Sequence, residues 1–379
     1  MRHYLDHAST SPPRPQVVEA MVSWFTGNES VAADPGRVHT EGRIARQLLE
    51  DARDRVAAML GTRPRQVIFT SGATESINAA VWSVTRAHPG QAVALAGVEH
   101  SSVRQASERL APVLLLTVDN AGRILLEEAA RGIEEDSPAL VHCQMGNHEV
   151  GTLQPVAQIV ELCHRNGVLV HVDAAAAAGH VEMNLDALGA DLVSVSAHKL
   201  GGPPGIGALV LRRGLRLPPF IVGGDQERAR RAGLENLPAA IGFGAAAEVL
   251  SEPTRIEKES VESRRLIARI TQAAIDVPGV SVLGAGAGKE GLPHIVALSV
   301  EGVEAEPVLL ALDRAGIAVH SGSSCSSESL APSPVLEAMG ADADHSLRVS
   351  VGWSSTDADV DAFCEVFPRA VVALRALRS

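Results

Sequence analysis

The stretch DLVSVSAHKLGGPPGIGALVL, residues 191–211, gives the clearest indication of how this 379-residue chain folds. It begins with the short apolar run 191–197 and ends with a second strand candidate at 206–213. Lys199 lies between them, directly before a turn rich in glycine and proline. Such a lysine either ends a strand at the surface or lies in a site, where burial lowers the pKa of the amine and makes it a usable nucleophile.

Five more strand candidates precede this stretch. They are QVIFT (66–70), AVALAG (92–97), VLLLTV (113–118), ALVHCQM (139–145) and VLVHVDA (168–174). Amphipathic stretches such as EGRIARQLLEDARDRVAAML (41–60) separate them, with apolar residues three and four positions apart. Strands that alternate with helices are typical of βαβ units. We therefore predict an α/β fold in which a seven-stranded, mostly parallel sheet lies between helices.

The pattern changes near residue 253. A charged helical segment, TRIEKESVESRRLIARITQAAID (254–276), precedes fewer and more widely separated strand candidates at 294–302, 316–322 and 347–353. We predict a large domain over residues 14–252. Residues 1–13 and 253–379 are expected to form a smaller α+β domain.

Composition limits the classes of function. The net charge of −12 and the lack of any Lys/Arg-rich run argue against nucleic-acid binding, which needs a basic patch. The N-terminal residues MRHYLDHAST contain no apolar targeting segment, and no stretch approaches the roughly 20 apolar residues of a membrane span. We expect a cytoplasmic protein that acts on small molecules or proteins, without a resident metal.

The four cysteines are too few for a disulfide framework in a chain of this length. Cys143, Cys163 and Cys364 lie in apolar patterns, so we expect them to be small buried side chains. Cys325 differs because it lies in SGSSCSS (321–327), among serine and glycine residues that no core would bury. Its position therefore indicates a functional role rather than a structural one.

Three further features support a functional lysine. Asp173 ends the strand candidate VLVHVDA, so its side chain and Lys199 are expected at the carboxyl ends of strands, where open α/β sheets bind ligands. The stretch QVIFTSGATESINAAV (66–81) is predicted to form a strand, a turn and a helix. This arrangement directs the backbone N–H groups of residues 71–75 at one anion, which we expect to be a phosphate. His100 follows another strand candidate; it either stacks on a ligand or is a satisfied polar residue at a strand end.

A nucleophilic lysine, a carboxylate and a phosphate cradle together describe a site for pyridoxal 5'-phosphate (PLP). The wider set of motifs resembles the cysteine desulfurases of the NifS/IscS kind, which are fold type I PLP-dependent transferases. The motifs that carry the resemblance are YLDHAST, VHTEGRIAR, FTSGATESIN, VEHSSV, GTLQP, HVDA, SAHKLGGPPGIGAL, GGDQER, SGSSCSS, PSPVLEAMG and SLRVSVGW. They occur in the right order over nearly the whole chain.

The resemblance implies roles for individual residues. Lys199 matches the lysine that forms the Schiff base with PLP, Asp173 matches the partner of the pyridinium nitrogen, and His100 matches the residue that stacks on the ring and moves protons. The residues that match phosphate-binding positions are Ala73, Thr74, Ser196 and His198.

The resemblance also implies a substrate and a reaction. Arg348, in SLRVS, matches the arginine that binds the substrate carboxylate, a planar pairing that suits a guanidinium. Cys325 matches the nucleophile that takes sulfur from L-cysteine as a persulfide, with L-alanine as the other product. The implied partners are a sulfur-acceptor protein, which the sequence does not identify, and a second copy of the chain in a homodimer.

Three positions depart from the family pattern. His148 stands where the family has asparagine, Ala176 replaces a glutamine that donates to the ring oxygen, and Leu234 replaces a threonine that reaches the partner subunit's phosphate. Each lost hydrogen bond is worth on the order of 1 kcal/mol. We expect His148 to contact both cofactor and substrate and to replace the lost donor. The substitutions suggest altered substrate preference or weaker PLP retention.

Two alternatives remain open. One is a selenocysteine lyase or another specialised PLP-dependent C–S lyase, and the other is a scaffold that binds sulfur carriers without turnover. The cysteine loop favours the desulfurase over other lyases, and the presence of both Lys199 and Asp173 disfavours the scaffold.

Overall fold

The computed structural model describes residues 2–27, 33–286, 288–321 and 332–377. Cys325 therefore lies outside the described residues. The strands are β1 His3–Tyr4, β2 Val67–Thr70, β3 Val93–Ala96, β4 Val113–Leu116, β5 Leu140–Gln144, β6 Leu169–Asp173, β7 Leu192–Ser196, β8 Gly207–Leu211, β9 Val280–Leu283, β10 Ile295–Val300, β11 Ile317–Ala318, β12 His320–Ser321 and β13 Ser346–Ser350.

The helices lie between these strands and at the C-terminal end of the described chain. They are α1 Pro15–Thr26, α2 Thr40–Met59, α3 Ala73–Ala87, α4 Ser101–Leu110, α5 Leu126–Asp136, α6 Val156–Arg165, α7 Leu185–Leu188, α8 Gln226–Ala229, α9 Leu237–Leu250, α10 Arg255–Ile275, α11 Ala305–Arg314, α12 Pro334–Ala338 and α13 Asp357–Ala376. Single 3₁₀ turns occupy Pro64–Gln66 and Ala197–Lys199.

The predicted seven-stranded sheet is confirmed. Its order is β2-β8-β7-β6-β5-β3-β4, and every pair is parallel except those that β8 makes with β2 and β7. Apart from the partly exposed edge strand β4, the strands are short apolar runs because both faces of the sheet are covered. In β2, for example, Val67 and Phe69 belong to the core that α2 and α9 cover, whereas Ile68 faces the core that includes α3.

A second sheet, β12-β13-β10-β9, is antiparallel and has its own apolar core with α10, α11 and α13. The strand β1 pairs with β11, which places Leu5 in this second core. The strands β1 and β9 were not predicted. The limits of the two domains at residues 14 and 253 stay a prediction.

The buried positions of Cys143 and Cys163 agree with their apolar patterns. Cys364 is only partly buried, so that expectation was wrong. Its sulfur lies 3.8 Å from the Arg269 carbonyl, where α13 meets α10 beside a set of exposed ion pairs. Within the described ranges, no helix combines the length and the apolar character needed to cross a membrane.

Candidate active site

A cavity of about 510 Å³ opens at the carboxyl ends of β5, β6 and β7. Nine of the ten predicted site residues are described, and all nine line this cavity. They are Ala73, Thr74, His100, His148, Asp173, Ser196, His198, Lys199 and Arg348. The chain brings them together from both sheets, from the start of α3 and from the turn after β7.

Asp173 is the last residue of β6 and is buried. The Ala175 N–H donates to its Oδ1 at 2.9 Å, and β5 places Gln144 beside it in register. Burial raises the pKa of Asp173, while the Ala175 hydrogen bond and the charges of Lys199 and His148 act against that rise. A cationic partner in the cavity would therefore favour the ionised form of this carboxyl group.

A second carboxyl group, Glu99, lies completely buried behind the cavity wall. The Gln144 N–H donates to its Oε1 at 2.7 Å, and its Oε2 has no hydrogen-bond partner in the described part of the chain. Burial, and next the charge of Asp173, raise the pKa of Glu99 to about 8. Near neutral pH this group therefore holds a proton beside the ionisable Asp173.

His100 caps the first turn of α4. Its Nδ1 accepts the Ser102 N–H at 3.1 Å, so a neutral ring carries its hydrogen on Nε2. The ring meets the His148 ring edge-on, with centroids 4.9 Å apart. Burial first, and then the charges of His148, Lys199 and Arg104, lower the pKa of His100 to about 2. A neutral imidazole presented to the cavity is suited to stack on an aromatic ligand.

The start of α3 lines the cavity at the predicted anion cradle, and one of the predicted donors is already paired. Gly72 has φ of 154°, a backbone conformation that favours glycine, and Ala73 and Thr74 open the helix. The Ser71 N–H is not available to an anion, because it donates to the Glu75 carboxylate at 2.8 Å. The cradle is therefore narrower than the predicted range 71–75.

Two polar side chains predicted to bind phosphate line the cavity near the start of α3. Ser196 ends β7 and its hydroxyl lies on the cavity side of Gly72, 3.8 Å from where a β-carbon on that glycine would sit. The Nδ1 of His198 lies 3.2 Å from the Thr10 hydroxyl. Burial, and next the charge of Lys199, lower the pKa of His198 to about 4. Both groups can therefore offer neutral hydrogen bonds to a phosphate.

Arg348 is buried at the opposite side of the cavity, in β13. Its Nη1 donates to the His148 carbonyl at 2.8 Å, and its Nη2 donates to Asp6 at 2.9 Å and to Ser9 at 2.6 Å. Its Nε is buried without a partner among the residues described. The guanidinium is thus held in a fixed orientation where it lines the cavity.

His148 interacts with its sequence neighbour as well as with His100. Its Nε2 lies 3.5 Å from Glu149 Oε1, and the Ser333 hydroxyl donates to the other carboxylate oxygen at 2.6 Å. Burial would raise the pKa of Glu149, but the hydrogen bond and charge of His148 and the Ser333 hydrogen bond lower it overall. The predicted contact of His148 with cofactor and substrate stays a prediction.

The other two departures lie in different surroundings. Ala176 lines the cavity as a buried methyl group, so it offers no polar atom there. Leu234 is 64% exposed and does not line the cavity. The contact with a partner subunit implied for this position stays a prediction.

Several polar residues that line or support the cavity were not predicted, among them Gln144, His320 and Glu99. Gln144 ends β5 and His320 begins β12, and both line the cavity, while Glu99 supports it from behind. The carboxyl-end rule for parallel strands, applied to the strand candidate 139–145, could have identified Gln144. No sequence pattern would have identified Glu99, because its role depends on its contact with the next strand.

A comparison with known families matches residues 3–363 to aminotransferase class-V. The chain is also 38% identical to cysteine desulfurase IscS 1 of Archaeoglobus fulgidus, over 99% of this chain and 98% of that protein. The chain belongs to the class-V aminotransferase family. Within this family its similar proteins include several that are named cysteine desulfurases, which confirms the resemblance seen in the motifs.

Solved structures of similar proteins have the same fold. A NifS-like protein superposes with a TM-score of 0.90 at 29% identity, covering 99% of this chain and 100% of that one. A structure of SspA in complex with cysteine has a TM-score of 0.80 at 26% identity, covering 93% of this chain and 100% of that one. The fold is therefore that of the fold type I PLP-dependent enzymes.

Proposed function

We propose that this chain is a PLP-dependent cysteine desulfurase that converts L-cysteine to L-alanine. The observation that carries the proposal is one cavity lined by Lys199, Asp173, His100 and the start of α3. These are an amine, a buried carboxylate, a neutral ring and a set of backbone donors, in a chain similar to cysteine desulfurases over almost its full length.

The donor set fits PLP. The first-turn amides of α3, with Ser196 and His198, suit the phosphate, because a helix start attracts an anion. Asp173 suits the pyridinium nitrogen: a positive charge there offsets the burial that otherwise raises the pKa of this carboxyl group. When bound through Lys199, PLP supplies an electron sink for carbanion chemistry at the substrate.

The protein groups have separate tasks in this proposal. The Lys199 amine holds the cofactor and, once released by substrate, moves a proton at the substrate α-carbon. His100, protonated on Nε2 and unprotonated on Nδ1, keeps its ring neutral against the cofactor. Arg348 orients the substrate carboxylate, since Asp6 and Ser9 already fix its guanidinium.

Cys325, outside the described residues, is the proposed sulfur acceptor. Its thiolate attacks the substrate sulfur, the substrate Cβ–S bond breaks, and its electron pair stays on the carbon, which is then protonated. The products are L-alanine and a Cys325 persulfide. Sulfur then passes to an acceptor protein, and we propose that the enzyme acts as a cytoplasmic homodimer.

The test is alanine formation from L-cysteine by the PLP-loaded chain, with Lys199→Ala and Cys325→Ala as controls. We expect both variants to lose sulfide and alanine production, and we expect a persulfide on Cys325 by mass spectrometry in the unmodified chain. Faster turnover of selenocysteine or of another sulfur amino acid would instead support the alternative lyases. A chain that binds PLP without consuming any of these substrates would support the scaffold.

A further inference from the structure

The backbone around Lys199 is held by hydrogen bonds from residues that lie outside the turn after β7. Four consecutive carbonyl groups, those of residues 198–201, each lie within hydrogen-bonding distance of a donor outside that turn. The contacts are Ser11 N to His198 O at 2.9 Å, His180 Nε2 to Lys199 O at 3.2 Å, Arg14 Nε to Leu200 O at 3.0 Å and Arg14 N to Gly201 O at 2.8 Å. The Lys199 carbonyl is the one that is paired with an imidazole.

The contact with the Lys199 carbonyl defines the protonation of His180. A carbonyl oxygen only accepts hydrogen bonds, so His180 Nε2 carries the hydrogen and donates it. Burial is the main cause that lowers the pKa of His180 to about 4, and the charges of Arg14 and Lys199 add to it. The hydrogen bond to Lys199 and the charge of Glu259 act in the opposite direction. The ring is neutral near pH 7, with its lone pair on Nδ1.

A second imidazole holds the His180 ring in place. The His294 ring is stacked on it, with centroids 3.6 Å apart and an interplanar angle of 12°. His294 is buried, and its carbonyl accepts the Val351 N–H at 3.0 Å, so the stack is anchored next to the second sheet. Its Nδ1 has no hydrogen-bond partner in the described ranges. Its contribution to the stack is therefore a flat surface.

The backbone before His180 is shaped for this approach. Gly179 has φ of +79°, and a β-carbon there would lie 2.7 Å from the β-carbon of Leu200. Only glycine allows the turn after β6 to pack this closely on the residue that follows Lys199. The turn therefore brings the imidazole directly to the lysine carbonyl.

We propose that His180, stacked on His294, is a positioning residue that fixes the Lys199 backbone for cofactor attachment. This inference rests on the proposed function, because it assigns His180 a task at the lysine that holds PLP. The hydrogen bond orients the lysine from its main chain and leaves the amine untouched. The proposal predicts that PLP attachment depends on a hydrogen-bond donor at residue 180 and does not depend on the charge of an imidazole.

The matched variants are His180→Gln and His180→Met, which are similar in length but differ in whether they can donate. Apoprotein is mixed with PLP, and the attachment rate is followed by the visible absorbance, with dissociation measured afterwards by dilution into a PLP scavenger. Loss of one hydrogen bond corresponds to a factor of about three to ten. We expect His180→Met to attach PLP more slowly or release it faster by this factor, and His180→Gln to behave like the unmodified chain. Equal behaviour of the two variants would overturn the proposal.

A second pair of variants tests the stack and remains useful if His180→Met does not fold. His294→Phe keeps an aromatic surface, whereas His294→Leu removes it, so we expect only the leucine variant to change attachment or release. His142→Val, which removes a fully buried imidazole elsewhere in the sheet, controls for general destabilisation. Equal effects of His142→Val and His294→Leu would overturn the role of the stack. If the unmodified chain attaches no PLP, the proposed function fails; normal attachment by all variants contradicts only the present inference.

Discussion

At the scale of single residues, Lys199 can be tested against the only other lysines in the sequence, Lys258 and Lys289. Reduction of the PLP-loaded chain with borohydride, followed by peptide mass spectrometry, should label Lys199 alone. Lys199→Ala should give a colourless protein with no labelled peptide, while Lys258→Ala, on the exposed surface of α10, should label normally. A label on either of the other two lysines would contradict the assignment.

The role of the negative charge on Asp173 can be tested by substitution with asparagine, which has the same shape but no charge. We expect Asp173→Asn to attach PLP at Lys199 but to form alanine about 10²- to 10³-fold more slowly, the usual effect of losing one preorganised electrostatic group. Asp186→Asn, an exposed position in α7, serves as the control. Single-turnover measurement of alanine checks the result, and a loss of less than threefold would argue against a partner for the ring nitrogen.

The arginine proposed for the substrate carboxylate can be tested by its geometry. Arg348→Lys keeps the positive charge but loses the planar fork, so its amine cannot reproduce the contacts with Asp6, Ser9 and the His148 carbonyl while also binding a carboxylate. We expect kcat/KM for cysteine to fall at least about tenfold, mainly through KM. An exposed control is Arg2→Lys. An unchanged KM would place the substrate carboxylate elsewhere.

At the scale of elements, the cradle depends on how closely β8 approaches the start of α3. A β-carbon at Gly207 would clash with the Val195 carbonyl oxygen of β7 and lie 2.7 Å from the α-carbon of Gly72. We therefore expect Gly207→Ala to destabilise the chain by about 1–3 kcal/mol and to weaken PLP retention. Gly132→Ala is the matched control. It lies within α5, where the added methyl group has ordinary contacts, and should stabilise by about 0.5–1 kcal/mol. Urea unfolding of both apoproteins measures the difference; similar stability of the two would contradict this view of the cradle.

The elements also show how far the sequence could predict the molecule. All seven strands of the large sheet were predictable because each is an apolar run. Six of them are buried on both faces, whereas the edge strand β4 leaves Leu115 exposed. The strands β1 and β9 were not predictable, because β1 has two residues and β9 is largely exposed on one side. The rule that ligands bind at the carboxyl ends of strands correctly predicted that Asp173 and Lys199 lie at one cavity. It could not predict that Glu75 takes the Ser71 amide, since that contact depends on how the first turn of the helix closes.

At the scale of the whole molecule, the N-terminal segment connects the site to both sheets. Asp6 pairs with Ser350 at the edge of β13 and also accepts from Arg348. Arg14 donates to the Leu200 carbonyl and forms a paired contact with Glu259 of α10 at 2.8 Å. The orientation of Lys199 and that of Arg348 therefore both depend on a segment that lies far from them in sequence.

The buried imidazoles determine how the whole molecule responds to acid. Burial lowers the pKa values of His7, His100 and His171 to about 4, 2 and 3, against about 6.5 in an unfolded chain. Below pH 6.5 the unfolded chain therefore binds more protons, so the stability that these groups contribute is present above that pH and is lost as the pH falls. Glu99 has the opposite sign. Because its pKa is raised from 4.5 to about 8, the stability it contributes is complete below pH 4.5 and is lost as the pH rises through 8, so between pH 7 and 5.5 it partly offsets the effect of the imidazoles.

We therefore expect the free energy of unfolding of the apoprotein to fall steeply from pH 7 to pH 5.5, by roughly 1 kcal/mol for each buried imidazole. Urea unfolding at the two pH values measures the difference. His171→Asn should reduce the fall by one such increment, because it removes one group that must stay neutral in the fold. His88→Asn, an exposed histidine after α3, should leave the fall unchanged. Equal falls in both variants would mean that the His171 ring takes up a proton without loss of stability, which would contradict the lowered pKa of this buried imidazole.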